Sequence, residues 1–169
     1  YLGTGFYNAN SKIRVRLLSR NGNDRFDGSF FYRRIQYAYE YRSSVFEQLP
    51  DAFRLVYGES DGLPGLTVDV FHDVVVTQTL SMGTELRKKM IFDAIVKVLQ
   101  ESGKTIRGIY ERNDVKIREK EGLEENTGWY FVNGSSDTTV QIEENGIFYH
   151  VDFANGQKTG FFLDQKENR

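Results

Sequence analysis

With 169 residues, 39% of them hydrophobic, the chain can bury one core, or one core and a small appended module. Its formal net charge of −2 excludes a global basic field that would attract nucleic acid, so any such contact has to be local. It has no cysteine and only two histidines, which excludes a disulfide scaffold and a thiolate metal site, and we expect no metal. No apolar run reaches membrane-spanning length and no signal peptide is visible, which predicts a soluble cytoplasmic protein without membrane contact.

The first element in chain order is a strand. Residues 12–19 (KIRVRLLS) alternate Ile13, Val15 and Leu17 with arginine, the pattern of a half-buried strand. Residues 21–28 (NGNDRFDG) are dense in Asn, Asp and Gly and are interpreted as a linker. Residues 1–20 are therefore expected to end a module that lies mostly upstream.

A helix is predicted over residues 30–46, because Phe31, Ile35, Ala38, Arg42 and Val45 recur at spacings of three and four. Either Asp27 or Ser29 can cap its start.

Three strands follow the helix. Residues 53–57 alternate, and GESDGLPG (58–65) is a cluster of turn residues. Residues 66–71 and 74–80 predict two further strands, joined by a tight His-Asp turn.

The second half of the chain begins with an amphipathic helix, predicted over residues 86–99 with Gly103 at its C-cap. Residues 105–111 predict a strand, and 114–121 a short charged helix closed by a glycine. Residues 140–142 and 147–151 flank an Asn-Gly pair, the strongest short hairpin signal.

Together these elements predict an α+β fold: a central, mainly antiparallel sheet with two main helices, preceded by the last strand of a β module. The central domain is assigned to residues 29–152, and residues 153–169 are a lead-in to a following segment.

The last stretch contains a capping pattern and a glycine pair. Asp164 and Glu167 form a D-x-x-E capping box at the mouth of a helix. Because a lone helical turn is unstable, either the capping interpretation is wrong or the chain stops inside an element, and we expect the second. Gly156 and Gly160 allow their backbone to approach a ligand or another segment closely, and a loop that leads into a buried strand explains them as well.

Four segments, taken in order, resemble a known family: GTGFYNANSKIRVRLLS (3–19), FRLVYGESDGLPGLTVD (53–69), YERNDVKIREKEGLE (110–124) and GQKTGFFLDQKENR (156–169). The family is that of the bacterial class I SAM-dependent RNA methyltransferases related to the 23S rRNA cytosine-5 methyltransferase. It combines an N-terminal PUA RNA-binding domain, a central α+β domain and a C-terminal Rossmann-like methyltransferase domain. Lys166 departs from the arginine usual in the closing motif, which keeps the charge but loses the bidentate fork.

The resemblance implies that residues 1–20 are the C-terminal end of the PUA-like domain and that the methyltransferase domain lies beyond residue 169. S-adenosyl-L-methionine would then be bound mainly by that absent domain, with Gln165, Asn168 and Arg169 near the methyl donor or the target base. A solvated first helical turn is the alternative for these three residues. Cytosine-5 chemistry needs a thiolate, which this chain lacks, so no catalytic residue is assigned and the chain alone is predicted to be inactive.

Large-subunit ribosomal RNA is the implied partner, and a homodimer is a further option. Basic and aromatic side chains can contact phosphate and stack on unpaired bases. The candidate RNA-binding residues are Arg14, Arg16, Arg33, Arg34, Tyr37, Lys158 and Thr159.

Two other readings of the sequence stay open. One is a non-catalytic RNA-binding or ribosome-associated adaptor. The other is a small α+β enzyme that uses Glu59 and Asp61, although carboxylates in a Gly-rich turn more often bond their own backbone.

Overall fold

Nine strands and three α-helices follow one another along residues 1–169, all of which the computed structural model describes. They are β1 Thr4–Tyr7, β2 Val15–Ser19, α1 Gly28–Val45, β3 Ala52–Tyr57, β4 Leu66–Phe71, β5 Val74–Thr79, α2 Met82–Glu85, α3 Lys88–Glu101, β6 Gly108–Asn113, β7 Asn126–Val132, β8 Thr139–Glu144 and β9 Ile147–Asp152. Short 3-10 helices occupy Gly58–Asp61, Glu119–Glu121 and Leu163–Asn168.

The central sheet has the strand order β3-β4-β5-β6-β7. All its pairs are antiparallel except β5 with β6, which are parallel because α2 and α3 carry the chain back across the sheet between them. Both faces are covered: α1 and α3 pack on one, and the β8–β9 hairpin with Phe153 packs on the other. Every residue of β4 is buried, which explains its nearly continuous apolar run. The predicted α+β fold with a mainly antiparallel sheet is confirmed.

Helix α1 begins one residue after Asp27, whose Oδ1 accepts the Phe30 amide at 3.0 Å, so Asp27 rather than Ser29 is the cap. Phe31, Ile35 and Ala38 are buried as predicted. Val45 is exposed, so the buried face is shorter than its periodicity indicated.

The second long helix begins later than predicted. Ser81 caps the separate turn α2, so α3 starts at Lys88 and Leu86, which was expected on the buried face, is exposed. The C-cap residue is Ser102, one residue before the predicted Gly103; Gly103 follows it with a left-handed φ of 87°, and its amide donates to the Gln100 carbonyl, as is typical of the glycine that ends a helix.

The β1–β2 hairpin buries the face opposite to the one expected. Ile13, Val15 and Leu17 are exposed, whereas Leu18 joins the core beneath α1. The predicted two-residue period is therefore correct, but the side of the strand expected to be buried is wrong. The physical reason is Arg16, whose guanidinium pairs with the buried carboxylate of Glu121 and with the exposed carboxylate of Glu59, so the side of β2 that carries Arg16 and Leu18 faces inward.

Four further elements can be compared with the sequence prediction, and one of them agrees with it fully. Strand β7 was not predicted, and β6 is shifted toward the C-terminus relative to residues 105–111. Residues 114–121 form turns and one 3-10 segment instead of a charged helix, because Arg118 is buried and donates to the Glu124 and Thr79 carbonyls. The Asn-Gly hairpin is confirmed, with φ of 54° at Asn145 and 77° at Gly146.

The predicted capping box at the end of the chain is absent. Leu163–Asn168 is a 3-10 helix without a side-chain cap. Asp164 accepts instead from the Lys158 ammonium at 3.3 Å and from the side-chain amide of its neighbour Gln165 at 3.2 Å. None of the helices combines the length and the apolarity that crossing a bilayer requires.

The choice between the two cap candidates can be tested by substitution. We expect Asp27→Ala to lower the free energy of unfolding by about 1 kcal/mol, because the Phe30 amide loses its acceptor. Ser29→Ala, at an exposed position on the same turn, should change it by less than about 0.5 kcal/mol. Urea unfolding of both variants measures the difference, and equal losses would contradict the assignment.

Candidate functional site

A buried carboxylate on β4 organises the C-terminal segment. Asp69 is fully buried and receives the Arg54 guanidinium through Nε at 2.8 Å and Nη2 at 2.9 Å. The Thr159 hydroxyl donates to the same carboxylate at 2.5 Å. The hydrogen bond to Asp69 raises the pKa of Arg54 above its ordinary value, although burial opposes it. Because a buried charge is stable only when paired, the loop around Thr159 is fixed to the sheet.

The glycine pair around this loop serves close backbone packing. A Cβ on Gly160 would lie 2.7 Å from the Phe153 Cα, and its φ of 124° favours glycine. A Cβ on Gly156 would lie 2.5 Å from the Asp152 carbonyl oxygen. Arg112 Nη1 donates to the carbonyls of Phe153 at 2.6 Å and Gly156 at 3.0 Å. The backbone at the two glycines therefore lies close to other backbone of the chain, which is one of the two partners, a ligand or another segment, that the sequence left open.

A second buried carboxylate joins the β1–β2 hairpin to the central region. Glu121 accepts from Ser11, from Arg16 Nη2 at 2.9 Å and from Asn8 Nδ2 at 3.1 Å. The Met82 amide adds a longer bond at 3.4 Å. Burial alone would raise the pKa of Glu121, but these donors together hold it below the ordinary value.

The candidate RNA-binding residues do not form one cluster. Arg14, Arg33 and Tyr37 are exposed, on the hairpin and on α1. Arg16 is largely buried between Glu59 and Glu121, and Arg34 donates to the Leu18 carbonyl at 3.2 Å and lies over the Phe30 ring. Arg16 and Arg34 therefore hold the hairpin against the core.

Lys158 and Thr159 are adjacent in sequence but differ in environment. Thr159 is buried and bonded to Asp69, so the structure contradicts its prediction as an RNA contact. The surface-loop interpretation failed because the acceptor lies 90 residues away along the chain. Lys158 is half exposed and pairs with Asp164.

Two of the three candidate cofactor-binding residues, Gln165 and Asn168, lie in the last 3-10 helix, and Arg169 follows it directly. Arg169 donates two hydrogen bonds to the Glu144 carboxylate, at 2.6 and 2.7 Å, and one to the Phe162 carbonyl at 2.7 Å. Gln165 and Asn168 are exposed, and the Asn168 amide donates to the Gln165 oxygen at 3.0 Å. Arg169 is thus occupied within the chain, whereas Gln165 and Asn168 face solvent.

The acidic turn is occupied by ion pairs. Asp61 is held by both terminal nitrogens of Arg42 and also accepts the Tyr57 amide at 2.6 Å. Glu59 pairs with Arg16 at 3.2 Å. An acid–base pair needs free carboxyl groups, so this arrangement gives no support to the reading as an enzyme that uses Glu59 and Asp61.

A cleft of about 580 Å³ lies where α1, β3 and the C-terminal segment meet, and we call it the α1 cleft. It brings Lys158 and Lys166 beside aromatic side chains of the helix and the sheet. The lining residues used below are Tyr41, Phe46, Tyr57, Lys158, Asp164 and Lys166.

Comparison with known proteins shows which proteins this chain is similar to. A family model for the PUA-like domain matches residues 1–20. The whole chain is 42% identical to 41% of the ribosomal RNA large subunit methyltransferase I of Alteromonas mediterranea. It is 43% identical to an equal share of the protein of that name from Aeromonas salmonicida. The chain is homologous to one part of these methyltransferases.

Solved structures agree with this homology. The fold matches a Streptococcus mutans structure described as a candidate SAM-dependent methyltransferase, with a TM-score of 0.75 and 25% identity over 99% of this chain and 41% of that one. A second structure, a candidate methyltransferase in complex with SAH, matches with a TM-score of 0.76 and 25% identity over 99% of this chain and 40% of that one. The chain thus spans about two fifths of the length of its relatives. The family resemblance drawn from four sequence segments is confirmed.

Sequence reasoning missed the residues that hold the site together: Asp69, Arg54, Arg112 and Glu121. Each lies within a segment that carried the resemblance. The available signal was a charge inside an apolar strand, as with Asp69 in LTVDVF, since such a charge requires a buried partner.

Removing one hydroxyl tests the Asp69 anchor. We expect Thr159→Val to lower the free energy of unfolding by about 2 kcal/mol, because a charge-assisted bond is lost at constant side-chain shape. Thr127→Val, at an exposed position in β7, is the matched control and should change it by less than about 0.5 kcal/mol. If Thr159 contacts RNA instead, Thr159→Val will leave stability unchanged and weaken RNA binding.

The Glu121 cluster predicts a specific pH dependence. Because the pKa of Glu121 is lowered in the fold, its contribution is complete above the ordinary glutamate value of 4.5 and is lost as pH falls through the folded value. The free energy of unfolding of the wild type should therefore fall more steeply than that of Glu121→Gln between about pH 5 and about pH 3. Glu125→Gln, at an exposed position, should keep the wild-type slope. Parallel curves for wild type and Glu121→Gln would refute the assignment.

Proposed function

We propose that this chain is the RNA-binding and structural part of a SAM-dependent methyltransferase that acts on large-subunit ribosomal RNA. The observation that carries the proposal is the homology of all 169 residues, at 42–43% identity, to ribosomal RNA large subunit methyltransferase I. Following the sequence resemblance, the reaction is methylation of a 23S rRNA cytosine at C5, in the cytoplasm. A homodimer is compatible with this assignment.

The role proposed for residues 153–169 is to position the region that binds S-adenosyl-L-methionine. Three contacts support it: Thr159 to Asp69, Arg112 to two loop carbonyls, and Arg169 to Glu144. A segment anchored at several points transmits orientation, which a flexible linker cannot do. Gln165 and Asn168 are exposed on it and can contact the cofactor or the target base.

The proposed RNA surface consists of the exposed cations and rings among the candidate RNA-binding residues, and not of all seven candidates. Arg14 and Tyr37 are exposed and available to RNA, and Arg33 is exposed but pairs with Asp24 at 3.5 Å, so an RNA phosphate would have to replace that carboxylate. Such contacts would be local, because a chain with a net charge of −2 offers RNA no general electrostatic attraction.

Methyl transfer decides the proposal. We expect the gene product that contains these residues to transfer labelled methyl from S-adenosyl-L-methionine to large-subunit rRNA, and a deletion strain to lack one 5-methylcytosine by mass spectrometry. The 169-residue chain alone should bind neither S-adenosyl-L-methionine nor SAH tightly in calorimetry, since Arg169 is occupied by Glu144. An rRNA unchanged by the deletion, or tight cofactor binding by the chain alone, would overturn the assignment.

A further inference from the structure

The α1 cleft carries two aromatic rings that are unusually open. Tyr41 is 62% exposed and Tyr57 is 58% exposed, and both line the cleft. Tyrosine is large and mostly apolar, so a ring that lies open in a concave site is suited to contact with another flat group. A cleft of about 580 Å³ is within the size range of ordinary ligand sites.

An arginine guanidinium lies over each of the two tyrosine rings. The Arg42 guanidinium lies 5.3 Å from the Tyr41 ring centroid, and the Arg54 guanidinium lies 5.3 Å from that of Tyr57. Each arginine is itself fixed by a carboxylate, Asp61 for Arg42 and Asp69 for Arg54. Because the backing groups cannot move freely, the rings are preorganised and lose little conformational entropy when a ligand stacks on them.

The cleft also offers positive charge to an anion. Lys166 forms no ion pair in this chain, and its ammonium lies 5.7 Å from the centroid of the Phe46 ring. Lys158 pairs only with Asp164, and both side chains are at least half exposed, so that pair is weak and can open. Exposed rings and an unpaired ammonium in the lining of one cleft match a base with its phosphate.

We propose that the α1 cleft binds one unpaired nucleotide of the RNA, with its base stacked against the tyrosine rings and its phosphate beside Lys166. The inference rests on the RNA partner of the proposed function. It specifies a single-stranded site, because only an unpaired base can turn out of its stack into a side-chain cleft. Stacking is tolerant of base identity, so the cleft recognises an accessible nucleotide rather than a sequence.

Fluorescence anisotropy with a short labelled single-stranded RNA, and with its duplex, tests the site on the intact chain. Tyr41→Ala and Tyr57→Ala should each weaken single-strand binding about tenfold, whereas Tyr41→Phe and Tyr57→Phe should keep it, since stacking needs the ring and not the hydroxyl. Lys166→Ala should reduce the slope of log K against log salt by about 0.7, the contribution of one phosphate contact. Lys89→Ala, an exposed lysine of α3 outside the cleft lining, is the matched control and should keep both affinity and slope.

The outcomes separate this inference from the proposed function. Unchanged affinity in the alanine variants, equal affinity for the duplex, or no single-strand binding by the wild type would overturn the nucleotide site. None of these results affects the methyltransferase assignment, which depends on methyl transfer to rRNA. Conversely, tyrosine-dependent RNA binding by a gene product that transfers no methyl group would keep the cleft and remove the proposed function.

Discussion

A carboxylate inside a fully buried strand constrains the rest of this structure. Asp69 lies in β4 with no exposure, and an unpaired charge there would cost several kcal/mol. Arg54, its register partner on β3, donates hydrogen bonds to this carboxylate and neutralises its charge. The register of that strand pair shifts between Arg54 and Val56. Thr159 completes the set from the C-terminal loop. The alignment of two strands and the position of the chain's last segment thus depend on one charge.

The same principle connects the segments that carry the family resemblance. Arg16 of the first pairs with Glu121 of the third, and Asp69 of the second accepts from Thr159 of the fourth. Arg112 of the third donates to Gly156 of the fourth. Each segment therefore contains one half of a buried polar contact whose other half lies in a different segment. In this chain the four segments therefore maintain the architecture.

Local patterns predicted the elements but not their long-range partners. The burial of Ile35, the left-handed Gly103 and the Asn145 hairpin follow from periodicity and turn chemistry, which act over a few residues. The prediction of the buried side of the β1–β2 hairpin is wrong because alternation distinguishes two sides of a strand without indicating which one is covered. Arg16 lies on the covered side, where it pairs with Glu121. The prediction that Thr159 contacts RNA is wrong for a related reason. A threonine beside a lysine and two glycines is typical of a surface loop, and its distant acceptor cannot be recognised from the local sequence.

The arginines that neutralise buried carboxylates also hold the rings of the α1 cleft, so folding and ligand binding share these groups. Replacing Arg42 or Arg54 would leave Asp61 or Asp69 without its cation and would destabilise the fold whether or not RNA binds. The tyrosine rings lie on the solvent side of the same guanidinium groups and neutralise no charge. Their removal therefore probes the cleft without disturbing the carboxylates beneath it. A binding surface built on this core can change its exposed aromatic layer while the ion pairs below remain fixed.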